Sequence, residues 1–225
     1  MKDLFASIVI KLLLPYILLV CCAKQNLAAQ SNDSFLLSLT IPVSLSSFEG
    51  SKERVFGPYW TYVPTLELSA RYFSKFAVSP EVTTYLETRT ARSVWGLAYF
   101  LHTLTFELLG NVSVQRIYQQ LYDKPLFTKK ENGVTPIWDV GIGAFASYIY
   151  KGKEERFPID HPNFNRWNYG VSAQSEFMLL LKKKPHRPRT SVGLGLTYHY
   201  GIPKILDFRL SSFYINWIKI NVLLP

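Results

Sequence analysis

The stretch Arg189 to Gly201 reads RTSVGLGLTYHYG. Val192, Leu194, Leu196, Tyr198 and Tyr200 occupy one set of alternate positions, and Ser191, Gly193, Gly195, Thr197, His199 and Gly201 the other. Alternate side chains on a strand point to opposite faces. One face is therefore greasy and edged with tyrosine, and the other small and polar. A soluble sandwich would bury the greasy face against a second sheet, whereas an outer-membrane barrel would turn it to lipid and line its lumen with the small polar face.

Working outward, the same period recurs. Trp138, Val140, Ile142, Ala144, Ala146, Tyr148 and Tyr150 alternate with Asp139, Gly141, Gly143, Phe145 and Ser147. Trp167, Tyr169, Val171, Ala173, Phe177, Leu179 and Leu181 alternate with Asn168, Gly170, Ser172, Gln174 and Glu176. The final strand places Phe208, Leu210, Tyr214, Ile218, Ile220 and Val222 on one face. Upstream, Phe35–Leu45 reads as a strand in which Pro42, unable to donate a ladder hydrogen bond, predicts a bulge or a locally unpaired position. Ser46 to Thr61 reads as a loop. Tyr62–Phe73 and a strand from about Lys75 to Glu87 read as a hairpin turning near Ser74, followed by a polar loop, Thr88 to Ser93.

Val94 to Gln115 is the hardest stretch. Its apolar phase changes at His102–Thr103, which a β-bulge inside one strand explains. Two shorter strands, or a helix through Leu97, Leu101, Leu104 and Leu108, are the alternatives. Ile117 to Thr135 is a polar connection with room for one helical turn. The sum is an all-β chain: a transmembrane, antiparallel, up-and-down barrel of eight strands, or ten if 94–135 divides. A secreted sandwich or lipocalin-like barrel is the competing fold. The expected strands run well past the 5–6 residues of an average soluble strand, and past the 9–11 needed to cross a bilayer.

The first residues read as a cleaved signal peptide, residues 1–29. Lys2 gives a positive start, Ile8 to Cys22 is nearly all apolar, and Leu27-Ala28-Ala29 offers small residues before Gln30. A retained anchor is the alternative, disfavoured by Lys11 and Pro15 inside a short apolar run. Val20 before Cys21 argues against lipidation of Cys21 or Cys22. Both cysteines would leave with the signal, and with them any disulfide or cysteine chemistry. The barrel domain is then residues 30–225, or 225 − 29 = 196 residues. Without Lys2, Asp3, Lys11 and Lys24, the 25 basic and 16 acidic residues fall to a net charge of about +7, which suits anionic headgroups or lipopolysaccharide phosphates and not nucleic acid. Aromatic residues make up 15% of the chain, as interfacial girdles require.

The segment from Gly170 to Ile220 resembles the closing hairpins of the porin-like outer-membrane β-barrel family widespread in Bacteroidetes. The likeness lies in its apolar strand, short basic turn, glycine-alternating strand ending Tyr198-His199-Tyr200-Gly201-Ile202, and last strand. Ala28-Ala29-Gln30-Ser31 is similar to that family's signal ends. The chain departs from the pattern at Leu223-Leu224-Pro225, where an aromatic residue is usual, so the terminal strand is expected to stop at Ile220 or Val222. The resemblance implies a Gram-negative outer-membrane location, with outer-membrane lipids, lipopolysaccharide, the barrel-assembly machinery and other envelope proteins as partners.

Candidate lumen residues are Glu67, Arg71, Glu81, Glu87, Gln174, Glu176, His199, Arg209 and Lys219. They would bind a polar ligand or form the network that fills an eight-stranded barrel. Glu67 and Arg71, four apart on one face, read as a charge pair. Lys182, Lys183, Lys184, His186, Arg187 and Arg189 form a basic turn that would hold phosphate headgroups or simply be solvated. Asp160, His161 and Glu154/Glu155 are too weak a set for a metal site. His199 suggests a general base, but the serine two residues on that marks outer-membrane lipid A deacylases is replaced by Gly201. No cofactor, metal or catalytic residue is expected. The function expected is structural, envelope-assembly, secretion-support or adhesive. A lipid-modifying enzyme and a small pore or ligand-binding barrel are the alternatives.

Overall fold

The computed structural model describes residues 34–50, 59–73, 78–92, 98–127, 134–154, 157–158, 165–181, 189–204 and 208–224. The strands are β1 (Ser34–Thr40), β2 (Val43–Gly50), β3 (Tyr59–Pro64), β4 (Leu66–Phe73), β5 (Val78–Arg92), β6 (Ala98–Ser113), β7 (Val134–Glu154), β8 (Phe157–Pro158), β9 (Trp167–Leu181), β10 (Arg189–Lys204) and β11 (Phe208–Leu224). Among the described residues one helix, α1 (Val114–Tyr122), follows β6.

All pairings are antiparallel and run β1-β4-β5-β6-β7-β9-β10-β11, after which β11 pairs back onto β1. The sheet is therefore closed. β1 and β2 are one stave interrupted at Ile41-Pro42, because proline cannot continue the ladder; both halves pair β11. β3 and β4 are a second stave interrupted at Thr65. Counting these as two, with β5, β6, β7, β9, β10 and β11, the barrel has eight staves, and the short β8 lies beside β7. The ten-strand alternative falls, because residues 98–113 form one unbroken strand. So does the sandwich, because closure puts a charged face inside.

The ladder does shift register at His102/Thr103. The extra residue, however, is Tyr150 on β7, since His102 faces Lys151 and Thr103 faces Ile149. β6 keeps a single phase, and Leu101 points inward with Thr103, Thr105 and Glu107. Other expectations need correction. β2 and β3 take up much of the expected loop 46–61, leaving 51–58 between them. β5 continues through Arg92. The connection after β6 carries about two and a half helical turns, not one. β11 runs to Leu224, which faces Phe35.

The outer wall carries Leu39, Val82, Leu108, Val140, Ile142, Val171, Leu194 and Ile218, all exposed. Trp138 marks one margin of this belt, and Tyr148, Tyr150, Trp167, Tyr169 and Tyr198 the other. Between the margins no outward side chain among the described residues is charged. Trp138 and Tyr148 are ten residues apart on β7. At about 3.3 Å per residue and a tilt of about 40°, that spans about 25 Å, the height of the apolar band on outer-membrane barrels. Surface this apolar in water would be an aggregation site; in a bilayer it is solvated by acyl chains.

Candidate functional site

The inward face is where chemistry is concentrated. Strand alternation delivers Glu67, Ser69 and Arg71 from β4, and Glu81, Thr83, Tyr85, Glu87 and Arg89 from β5. Glu107 and Asn111 come from β6, Asp139 from β7, Gln174 and Glu176 from β9, His199 from β10, and Tyr214, Asn216 and Lys219 from β11. All are buried.

Arg71 is the centre of a first cluster, nearer the end that holds the chain termini. It faces Glu81 directly across β4 and β5 and meets its carboxylate at 2.5 Å. It also reaches across the lumen to Asp139 and, at 3.2 Å, to Glu176. Asp139 and Glu176 are themselves directly opposite on β7 and β9, a like-charge pairing that disfavours the sheet unless a cation bridges it. Lys219 supplies a second cation, 2.5 Å from Glu176 and 3.7 Å from Glu67. Asn111 donates to Glu81 at 2.7 Å, and Asn216 to Glu67 at 3.0 Å. Glu67 thus engages Lys219 and Asn216, not Arg71 as its spacing suggested. Gln174 lies one inward step from Glu176, level with Gly141 and Thr197.

A second cluster lies higher. His199 Nε2 is 2.9 Å from one Glu107 oxygen, and the Tyr85 hydroxyl donates to the other at 2.8 Å. The imidazole stacks on Phe145 with centroids 4.3 Å apart, and Tyr85 stacks on Tyr214 at 4.7 Å. Gly170 makes room for this stack: a Cβ there would sit 1.9 Å from the Tyr200 carbonyl oxygen and 3.2 Å from the Phe145 ring. Above it, Arg89 donates to Glu87 at 2.5 Å and to the Tyr214 hydroxyl at 2.8 Å, and Thr103 donates to Glu87 at 3.1 Å. Leu101, Ile149 and Leu210, each fully buried, face inward at the end away from the termini.

Arg209 is not a lumen residue. It is exposed, on the outward phase of β11, and donates to the Tyr200 hydroxyl at 3.0 Å. Leu210 and Tyr214, expected outside, point in, because β11 changes phase where Trp217 and Ile218 both face outward. Lys182, Lys183, Lys184, His186 and Arg187 lie outside the described residues. So does the Arg189 side chain, although its backbone opens β10. Of the weak metal set, Glu155, Asp160 and His161 also lie outside them. Arg89, Glu107, Asp139 and Tyr85 were missing from the lumen candidates. Each alternates with the outward apolar residues of its own strand, as Glu107 does with Phe106 and Leu108 and Asp139 with Trp138 and Val140, so the signal was there.

Chemically, a histidine beside a carboxylate resembles half of a relay. Acid–base catalysis, however, requires substrate within hydrogen-bond reach, and His199 has no exposed surface. Its observable work is to complete the Glu107 carboxylate. His199→Phe should keep the stack and leave one Glu107 oxygen unpaired, costing about 1–3 kcal/mol. The denaturant midpoint of the compact gel form in detergent would measure this, and cellular lipid composition should not change. Altered lipid with unaltered stability would reverse the reading.

No family model matches the chain, and no curated protein does. Among solved structures, neisserial surface protein A is 10% identical, over 85% of this chain and 97% of that one, with a TM-score of 0.45. Ail, the attachment invasion locus protein of Yersinia pestis, is 9% identical over 85% of this chain and 99% of its own. Its TM-score is 0.38 in complex with the heparin analogue sucrose octasulfate and 0.36 alone. Likenesses of this size carry no argument about residues or role. The class of protein rests on this chain's own closure, apolar belt and polar interior: an eight-stranded membrane β-barrel.

Proposed function

We propose that the chain is a small, non-enzymatic outer-membrane barrel that serves its envelope through its rims and outer wall: a structural, assembly, secretion-support or adhesive role. The observation that carries this reading is the packing of the lumen. Arg71, Arg89, Lys219 and the carboxylates around them are buried and mutually engaged, so the interior serves the wall rather than a solute. An eight-stranded barrel has room for side chains and little more. A lumen filled in this way supports neither a conducting pore nor an internal catalytic centre. The outer membrane as location is supported by strand-borne crossing, aromatic margins and basic net charge. Kinship with the porin-like barrels of Bacteroidetes stays part of this proposal, on the strength of the closing hairpins.

Two measurements test it together. The protein should sediment with outer membranes and show heat-modifiable migration on gels, because a closed barrel resists detergent until boiled. It should also give no stepwise conductance in planar bilayers. Recovery as a soluble periplasmic monomer without detergent would overturn the location, and discrete channels would overturn the sealed lumen.

A further inference from the structure

Helix α1 is amphipathic in the wrong sense for water. At about 100° per residue, Val114, Ile117, Tyr118, Leu121 and Tyr122 fall within an arc of about 140°. Gln115 and Gln119 lie on one flank of that arc, and Arg116 and Gln120 opposite it. A helix packed on a soluble protein turns its apolar arc inward. Here the glutamine flank meets the barrel. Gln115 donates to the Pro136 carbonyl at 2.5 Å, and Gln115 and Gln119 line a cleft closed by Leu126, Phe127, Val134 and Pro136. Three of the five arc residues are left open: Ile117 is 40% exposed, Tyr122 61% and Leu121 71%, with Val114 and Tyr118 half-buried. No residue of the helix is buried, and its N-cap Ser113 makes no capping side-chain bond. Nine residues with no buried side chain and no N-cap side-chain bond are marginal in water.

The position of α1 resolves the inversion. Just after it, Phe127 lies against Phe177, centroids 5.9 Å apart, and Phe177 is an outward residue of β9 within the apolar wall. Phe127 therefore lies on the outside of the barrel, where lipid is the solvent. We infer that α1 is an interfacial membrane helix. Its Ile117/Leu121/Tyr122 arc lies in the acyl–headgroup boundary of the leaflet at the end holding the chain termini, with exposed Lys124 near anionic headgroups. The occupant is the bilayer itself, because the arc continues a wall the bilayer already covers. This inference rests on the membrane-barrel reading.

The test uses the full chain in liposomes, in a background where Cys21 and Cys22 are replaced by serine. Single-cysteine variants Leu121→Cys, Gln120→Cys and Ile142→Cys carry an environment-sensitive fluorophore, and the quencher is phospholipid brominated at shallow or deep acyl positions. The Leu121 label should be quenched by shallow bromines at least about threefold more than the Gln120 label, and the Ile142 label best by deep ones. A quenched Ile142 label beside an unquenched Leu121 label would overturn the interfacial helix and leave the barrel standing. A disulfide-linked dimer through Leu121→Cys would also overturn it, assigning the arc to a second copy. An unquenched Ile142 label would overturn the membrane reading, and the helix inference with it.

Discussion

Arg71→Met should cost about 3–5 kcal/mol of barrel stability, the loss expected when a buried ion network keeps its anions and loses its cation. The geometry sets the size. Arg71 holds Glu81 on the neighbouring strand and both Asp139 and Glu176 on the far wall. Those last two face each other across β7 and β9, so removing the guanidinium leaves like charges opposed with only Lys219 near Glu176. Buried charged residues among the described ones are Glu67, Glu81, Glu87, Glu107, Asp139 and Glu176 against Arg71, Arg89 and Lys219, a formal 3 − 6 = −3 before His199 is counted. The interior is already acidic, so losing a cation should hurt more than neutralising an anion. Asp139→Asn alone should cost well under half as much, and the Arg71→Met/Asp139→Asn double variant should recover part of the loss. Arg71→Lys should fall between, because an ammonium cannot span three carboxylates with a fork. Guanidinium unfolding in liposomes, followed by tryptophan fluorescence, gives these values. A cost under about 1 kcal/mol for Arg71→Met would mean that water solvates the cluster and that the lumen is open enough to admit solutes.

That network also marks how far alternation can be read. On β7, β9 and β10 the inner phase is mostly glycine, serine and other polar residues and the outer phase aliphatic or aromatic, so contrast between the faces is high and the phase is unambiguous. β11 breaks the contrast. Leu210 and Tyr214 are apolar yet face inward, because Tyr214 spends its hydroxyl on Glu87 and Arg89 and Leu210 helps close one end. Trp217 and Ile218 then face out together, and a strict period of two carried across them assigns Arg209 and Tyr214 to the wrong sides. β6 misleads differently: its sequence suggested a phase change at His102–Thr103, but the extra residue belongs to Tyr150 on the partner, which no reading of one strand can reveal. Membership of the lumen was legible for Glu67, Arg71, Glu81, Gln174, Glu176 and His199. Partnership was not. Who meets whom depends on the stagger of the closed sheet, which brings β4 to β7 and β9 although neither is its neighbour.

Ile142→Arg tests the other face. Ile142 is 76% exposed and lies between the Trp138 and Tyr148 margins of β7, close to the middle of the apolar band. In water its replacement by arginine would be nearly neutral, as most exposed substitutions are. In a bilayer the guanidinium must be dragged into hydrocarbon or snorkel along the wall, at about 2–4 kcal/mol near the midplane. Phe145, three positions on but inward-facing, gives no such contrast, because any charge there meets a dry stack with His199. The informative partner is an outward site beyond the belt: Lys151 is exposed past Tyr150, and Lys151→Arg should change stability by no more than about 0.5 kcal/mol. Moving an arginine along one strand from 151 to 142 therefore measures membrane depth directly. The same pair in detergent micelles, which deform around a charge, should show a smaller difference than in liposomes. Equal, negligible costs at both positions in liposomes would place the outer wall in water, and the apolar face would then need a protein to cover it.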